Sequence, residues 1–142
     1  MYFRGVKLYL RQRFWILVSL AVITPLSFWI WRCYDGPLRI WINFYISGIF
    51  YVLFWCLFLF FFWPKKKYAA RIAVLVLLAT CGLEFLQLYK PPFLQQIRST
   101  FLGMAVLGTC FVWRQFPYYI IGALLSWLWM HALARLVRSK QR

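Results

Sequence analysis

Asp35 and Glu84 are the only acidic residues in the chain, and only Glu84 lies within an apolar run, Thr80-Cys81-Gly82-Leu83-Glu84-Phe85-Leu86-Gln87. A carboxylate in apolar surroundings is costly unless it is paired or neutralised. The short stretch Lys90-Pro91-Pro92-Phe93-Leu94-Gln95-Gln96-Ile97, read as a loop, follows and leads to Arg98, the expected basic partner. On a helix, Thr80, Glu84 and Gln87 share one face by their i, i+4 and i, i+3 spacing. Asn43, Ser47 and Tyr51, at i, i+4 and i+8, form a second polar stripe. Two roles are open for Glu84. It can hold the bundle together, through Arg98 or hydrogen bonds to Gln87, Thr80, Asn43 or Tyr51. Alternatively it titrates or coordinates a ligand, because intramembrane acids mark functional sites. Arg98 and Arg114 either snorkel to headgroups or recognise a phosphate, for which the guanidinium fork is suited.

Hydrolytic chemistry needs a nucleophile with a base, paired carboxylates or a metal. Only Asp35, Glu84 and His131 can supply an acid, a base or a hard ligand, and the topology below keeps them apart. No catalytic residue is assigned, and neither a metal nor a cofactor is expected. Cys33, Cys56, Cys81 and Cys110 form no CxxC pair, so neither a zinc site nor a disulfide framework is implied.

The elements that position these residues follow from composition. The 142 residues are 65% hydrophobic, 23% aromatic and only 13% charged, far from the balance of a soluble domain. The reading is a single all-α domain, a polytopic transmembrane helical bundle. Four spans are expected, at about 14–31, 40–63, 72–89 and 117–134. A net charge of +15 would suggest nucleic acid in a soluble protein. Here the basic residues sit between and beyond the apolar runs, the positive-inside pattern with affinity for anionic headgroups, so nucleic-acid binding is rejected. Trp29, Trp31 and Trp41 fit one interfacial belt and Trp15 and Trp63 the other, with Trp55 left for packing. The apolar run Phe14–Trp31 follows Arg4, Lys7, Arg11 and Arg13 and reads as an uncleaved anchor with its N-terminus in the cytoplasm.

Residues 99–113 are apolar but too few to cross: 15 residues make about 22 Å of helix against a core of about 30 Å. A re-entrant or half-membrane helix there gives four spans; a full crossing gives five. With four, the head, the 65–71 turn and the tail each place four basic residues inside, leaving Arg32, Arg39, Lys90, Arg98 and Arg114 outside. The positive-inside rule favours this arrangement. It places Glu84 about 7–8 Å below the outer end of its span and Ser47 at roughly 10 Å, so the two polar stripes can face each other. Gly122 and Ser126 are a small-xxx-small pair for close helix packing.

Several stretches resemble a family of small bacterial membrane proteins of unknown function, distantly similar to the VanZ-like proteins, named for a teicoplanin-resistance accessory protein. They are Asn43-Phe44-Tyr45-Ile46-Ser47-Gly48, Tyr51-Val52-Leu53-Phe54-Trp55, Glu84-Phe85-Leu86-Gln87, Arg98, Leu107-Gly108-Thr109-Cys110-Phe111-Val112-Trp113 and Phe116-Pro117-Tyr118-Tyr119-Ile120-Ile121-Gly122. The resemblance runs from about Asn43 to Gly122; the first span is generic. It implies that Tyr119 lies near the polar set. It also implies an Asp where this chain has Gln115, so the second carboxylate of the set is missing here.

The expected role is non-enzymatic. A polar outer-leaflet pocket of Glu84, Gln87, Arg98, Thr80, Asn43, Ser47, Arg114, Gln115 and Tyr119 would bind an anionic lipid or lipid-linked headgroup. The alternative is a structural subunit or assembly factor of a larger membrane complex; an enzyme using Glu84 as general acid or base is a third reading. The expected location is a bacterial inner membrane, or a thylakoid membrane if the host is photosynthetic.

Overall fold

The computed structural model describes residues 2–107 and 111–139. Helix α1 is Tyr2–Cys33. Helix α2 runs Arg39–Phe62 and α3 Lys66–Leu88. Two short helices follow, α4 (Pro92–Ser99) and α5 (Phe101–Leu107). A 3-10 turn, Trp113–Gln115, then leads into α6 (Phe116–Ser139). No strand occurs among the described residues. Four helical segments are long and apolar enough to cross a membrane: Gly5–Cys33, Arg39–Phe62, Lys66–Leu88 and Trp113–Leu136. The chain is a multi-pass, all-α membrane protein.

Helices α2 and α6 form the central pair, with α1 and α3 flanking them. Val52, Cys56, Leu57 and Phe60 of α2 meet Tyr119, Ala123, Met130 and Leu133 of α6 in the core. Gly122 makes this approach possible. A Cβ there would lie 3.1 Å from the Cα of Ile49 and 3.2 Å from the Cβ of Val52, so the backbones meet where there is no side chain to keep them apart. The Ser126 hydroxyl, fully buried, donates to the Gly122 carbonyl at 2.6 Å. Helix α1 is tied to α6 by the Trp129 indole N–H, which donates to the Ser19 hydroxyl at 3.2 Å. The many exposed Leu, Phe and Trp side chains of all four long helices form a surface suited to hydrocarbon.

Three local features refine the sequence reading. Helix α1 takes in the basic head, beginning at Tyr2 and running 32 residues, because Arg, Lys, Leu and Gln are good helix formers and their charges can reach the interface. The stretch from Lys90 to Ile97 is no loop. Pro92 occupies the first turn of α4, where a missing N–H costs nothing. Within the stretch 99–113, Phe101–Leu107 form a seven-residue helix, α5, about 10 Å long. The break at Thr100 is sharp. Its hydroxyl donates to the Ile97 carbonyl at 2.7 Å and accepts the Gly103 N–H at 3.1 Å. A Cβ on Gly103 would lie 1.7 Å from the Ile97 carbonyl oxygen, so this corner admits only glycine. Gly108, Thr109 and Cys110 lie outside the described residues, as do Lys140 and Arg142.

Candidate functional site

Glu84 lies one turn from the end of α3 and is 2% exposed. It faces the α2–α6 pair, because the face that carries Ala73, Val76, Thr80, Glu84 and Gln87 is the buried face of α3. Its Oε1 accepts a hydrogen bond from the hydroxyl of Tyr119 on α6. The same hydroxyl meets Gln115 Oε1, one turn earlier, at 2.7 Å. Gln115 Nε2 in turn donates to the Phe44 carbonyl of α2 at 2.9 Å. Three helices are therefore joined through one polar chain. The backbone N–H of Val112 also faces the carboxylate, while Oε2 makes no hydrogen bond of ordinary geometry.

The polarity of this chain carries information. Gln115 must turn its amide nitrogen to the Phe44 carbonyl, so its oxygen faces Tyr119. Tyr119 has one hydroxyl proton and meets two acceptors. Every contact is satisfied when the Glu84 carboxyl carries a proton, so that Glu84 donates to Tyr119, Tyr119 to Gln115, and Gln115 to Phe44. No cation is needed beside such a group.

The sequence predicts Arg98 as the partner of Glu84, and the structure corrects this. Arg98 ends α4 and donates from Nη2 to the Leu86 carbonyl at 3.0 Å. It thereby caps the last turn of α3, whose carbonyls attract cations. Among the described residues the single ion pair is Asp35–Arg39, 2.8 Å, on the exposed turn before α2. The sequence places α4 as a loop free to fold back on Glu84; as a helix it carries Arg98 to the end of α3 instead.

The remaining expected residues divide. Gln87 is 6% exposed and its Oε1 has no partner. Asn43 Oδ1 is likewise buried without one. Thr80 is satisfied within its own helix by the Val76 carbonyl at 2.7 Å, and Ser47 donates to the Asn43 carbonyl. Tyr51 donates to the Val106 carbonyl at 2.8 Å, tying α5 to α2. Arg114 is exposed in the 3-10 turn, outside the network. The expected stripe on α2 passes through a π-helical stretch, Ile42–Ile46, a feature often found at functional sites.

Other contributors carry weaker sequence signals. Gly48 makes room for the ring of Tyr119: a Cβ there would meet its Cε1 at 2.8 Å. An aromatic group of Phe85, Phe111, Trp113 and Phe116 stands beside the site, and Phe116 packs edge-on to Tyr119 with centroids 6.3 Å apart. The spacing of Gln115 and Tyr119, i and i+4 across the start of α6, could have marked them as a pair. The Phe44 carbonyl and the Val112 amide are backbone groups and leave no signal.

A family described as a protein of unknown function, DUF2809, matches residues 38–123. The chain belongs to this family. The match encloses the whole stretch from Asn43 to Gly122 that carries the resemblance. No curated protein and no solved structure matches the chain. Every residue of the Glu84 network falls within the DUF2809 match, whereas α1 and the second half of α6 fall outside it. The polar chain is thus built wholly from the family region of the fold.

Proposed function

We propose that this DUF2809 protein is a non-enzymatic membrane protein that accommodates a lipid or lipid-linked headgroup at the Glu84 end of its bundle. One observation supports the reading above the others. Three buried acceptors, Glu84 Oε2, Gln87 Oε1 and Asn43 Oδ1, make no hydrogen bond of ordinary geometry among the described residues, and unpaired buried polar atoms are costly. The guanidinium of Arg98 is free of any carboxylate and its Nε is unpartnered. A headgroup with hydroxyl donors beside a phosphate matches both: hydroxyls for the acceptors, phosphate for the fork. The basic 65–71 turn and the head of α1 belong on the cytoplasmic side by the positive-inside rule. That orientation puts Glu84 toward the outer leaflet of a bacterial inner membrane.

The test is mass spectrometry of lipids retained by the purified protein, compared with Arg98→Gln and Gln87→Leu. Wild type should retain a lipid bearing phosphate and hydroxyl groups that both variants lose. An identical lipid complement in all three removes the proposal. For the orientation, a reporter fused after Arg142 should be active on the cytoplasmic side; periplasmic activity reverses it.

A second reading has its own support. Only 6% of the most apolar window of α1 is buried, against 28–39% in the other three spans. A helix so sparsely packed offers a face to a partner, as expected of a subunit or assembly factor in a larger complex. Native electrophoresis in mild detergent distinguishes this: a chain that migrates only as a free monomer rules it out.

A further inference from the structure

At the opposite end of the bundle from Glu84, a cavity of about 450 Å³ lies between the first turns of α1, the α2–α3 turn and the end of α6. Lys65, Lys66 and Lys67 line it, together with Gly5, Tyr9 and Gln12 of α1. Gly5 has nothing within 4 Å of where its Cβ would stand, so the cavity opens along it. Gln12 is 8% exposed and its Nε2 is buried without a partner. This is an unsatisfied donor in the wall of the cavity.

The backbone adds to the same polarity. Helix α3 starts here, and no side chain caps its first turn. The free N–H groups of a 23-residue helix carry a partial positive charge at that point. Lys65 donates its own N–H to the Trp63 carbonyl at 2.8 Å, which folds the turn and leaves Lys66 and Lys67 as the opening residues of the helix. Nearby, the Arg13 guanidinium lies over the rings of Tyr9 and Phe61 at 4.5 and 5.2 Å and keeps an unpartnered Nε.

No Asp or Glu side chain can answer this charge. Both acidic residues of the chain, Asp35 and Glu84, belong to the other end of the bundle. Among the described residues no carboxylate lies at this end, and the wall supplies donors of three kinds: ammonium, amide and helix N–H.

From this we infer that the cavity is a binding site for a phosphate-type anion, seated on the first turn of α3 and gripped by Gln12 Nε2 and the lysines. The site stands apart from the headgroup proposed at Glu84 and survives if that reading fails. Free phosphate and the phosphate of an anionic lipid share this chemistry.

The full chain is reconstituted in phosphatidylcholine nanodiscs with and without phosphatidylglycerol, and retained lipid is read by native mass spectrometry. Inorganic phosphate is titrated in parallel and read by phosphorus NMR line broadening. Gln12→Leu, which keeps the volume and removes the donor, should weaken binding about tenfold, the scale of one hydrogen bond to a charged group. Lys66→Gln should weaken it comparably. Arg71→Gln, which removes an exposed charge outside the cavity lining, should have a much smaller effect. Retention of phosphatidylglycerol undisturbed by inorganic phosphate identifies the lipid as the source; Gln12-dependent broadening of inorganic phosphate identifies the free anion. Either supports the site. Binding by neither probe, or equal loss in Lys66→Gln and Arg71→Gln with none in Gln12→Leu, overturns it, because the attraction would then be a diffuse surface charge.

Discussion

The unpaired atoms at the two ends of this bundle have opposite polarity. Around Glu84 the buried orphans are chiefly oxygens: Glu84 Oε2, Gln87 Oε1 and Asn43 Oδ1. Around the α2–α3 turn they are nitrogens, Gln12 Nε2 and Arg13 Nε. The first end is knitted across three helices by side chains, from Glu84 through Tyr119 and Gln115 to Phe44. The second has a shorter link among the described residues: Arg13 donates from Nη2 to the Tyr9 hydroxyl at 3.2 Å, and Tyr9 donates to the Phe62 carbonyl at 3.4 Å. One end is internally satisfied apart from a few acceptors. The other is a charged cradle that the protein leaves open. Substitutions at the two ends should therefore differ in kind. At the first they act on the fold; at the second they act on what the fold holds.

Tyr119→Phe is the most damaging of the single changes considered. It removes the hydroxyl that joins Glu84 to Gln115, and the expected cost is about 1–3 kcal/mol, read as a shift in reversible detergent unfolding. A loss indistinguishable from zero would mean that the polar chain does not join the helices. Gly48→Ala comes next, at about 1–2 kcal/mol. Its Cβ pushes on ring carbons of Tyr119, so the effect should shrink in a Tyr119→Ala background, which removes the ring; strict additivity would show that Gly48 and Tyr119 are uncoupled. Glu84→Gln is a finer probe. A Gln amide can donate to Tyr119 as the protonated acid does, so the change should cost under about 1 kcal/mol, well below Glu84→Leu. If Glu84→Gln is as harmful as Glu84→Leu, the carboxyl is needed as an anion. The smallest effect on stability belongs to Gln12→Leu in purely neutral lipid. Removing an unpaired buried donor there should leave unfolding unchanged or slightly improved. A clear destabilisation would mean that Gln12 has a partner within the fold.

The sequence exposes some of this architecture and hides the rest, for physical reasons. Helical periodicity alone brings Thr80, Glu84 and Gln87 to one face, and that face is the buried one. The four apolar runs are long enough to be seen directly, and each has its helix. Partner choice is another matter. Arg98 is the nearest cation to Glu84 in the chain beyond Lys90, yet the helix that begins at Pro92 carries it to Leu86. Tyr119, 35 residues from Glu84, is its neighbour only because Gly48 and Gly122 let α2 and α6 close together. Such contacts depend on crossing geometry, which spacing along the chain does not encode. The π-helical stretch at Ile42–Ile46 and the corner at Gly103 depend on individual backbone contacts, and composition is silent about those as well.

The distribution of charge has an electrical consequence. Both acidic residues sit toward one end of the long axis, beside Arg32, Arg39, Lys90, Arg98 and Arg114, while the lysine turn and the head of α1 crowd the other with basic residues alone. A molecule so polarised is sensitive to the voltage across its membrane. Each elementary charge carried through the full field is worth about 2.3 kcal/mol per 100 mV. A potential negative on the lysine side therefore acts as a clamp on the inserted orientation. An inverted copy would have to be driven against it, charge by charge.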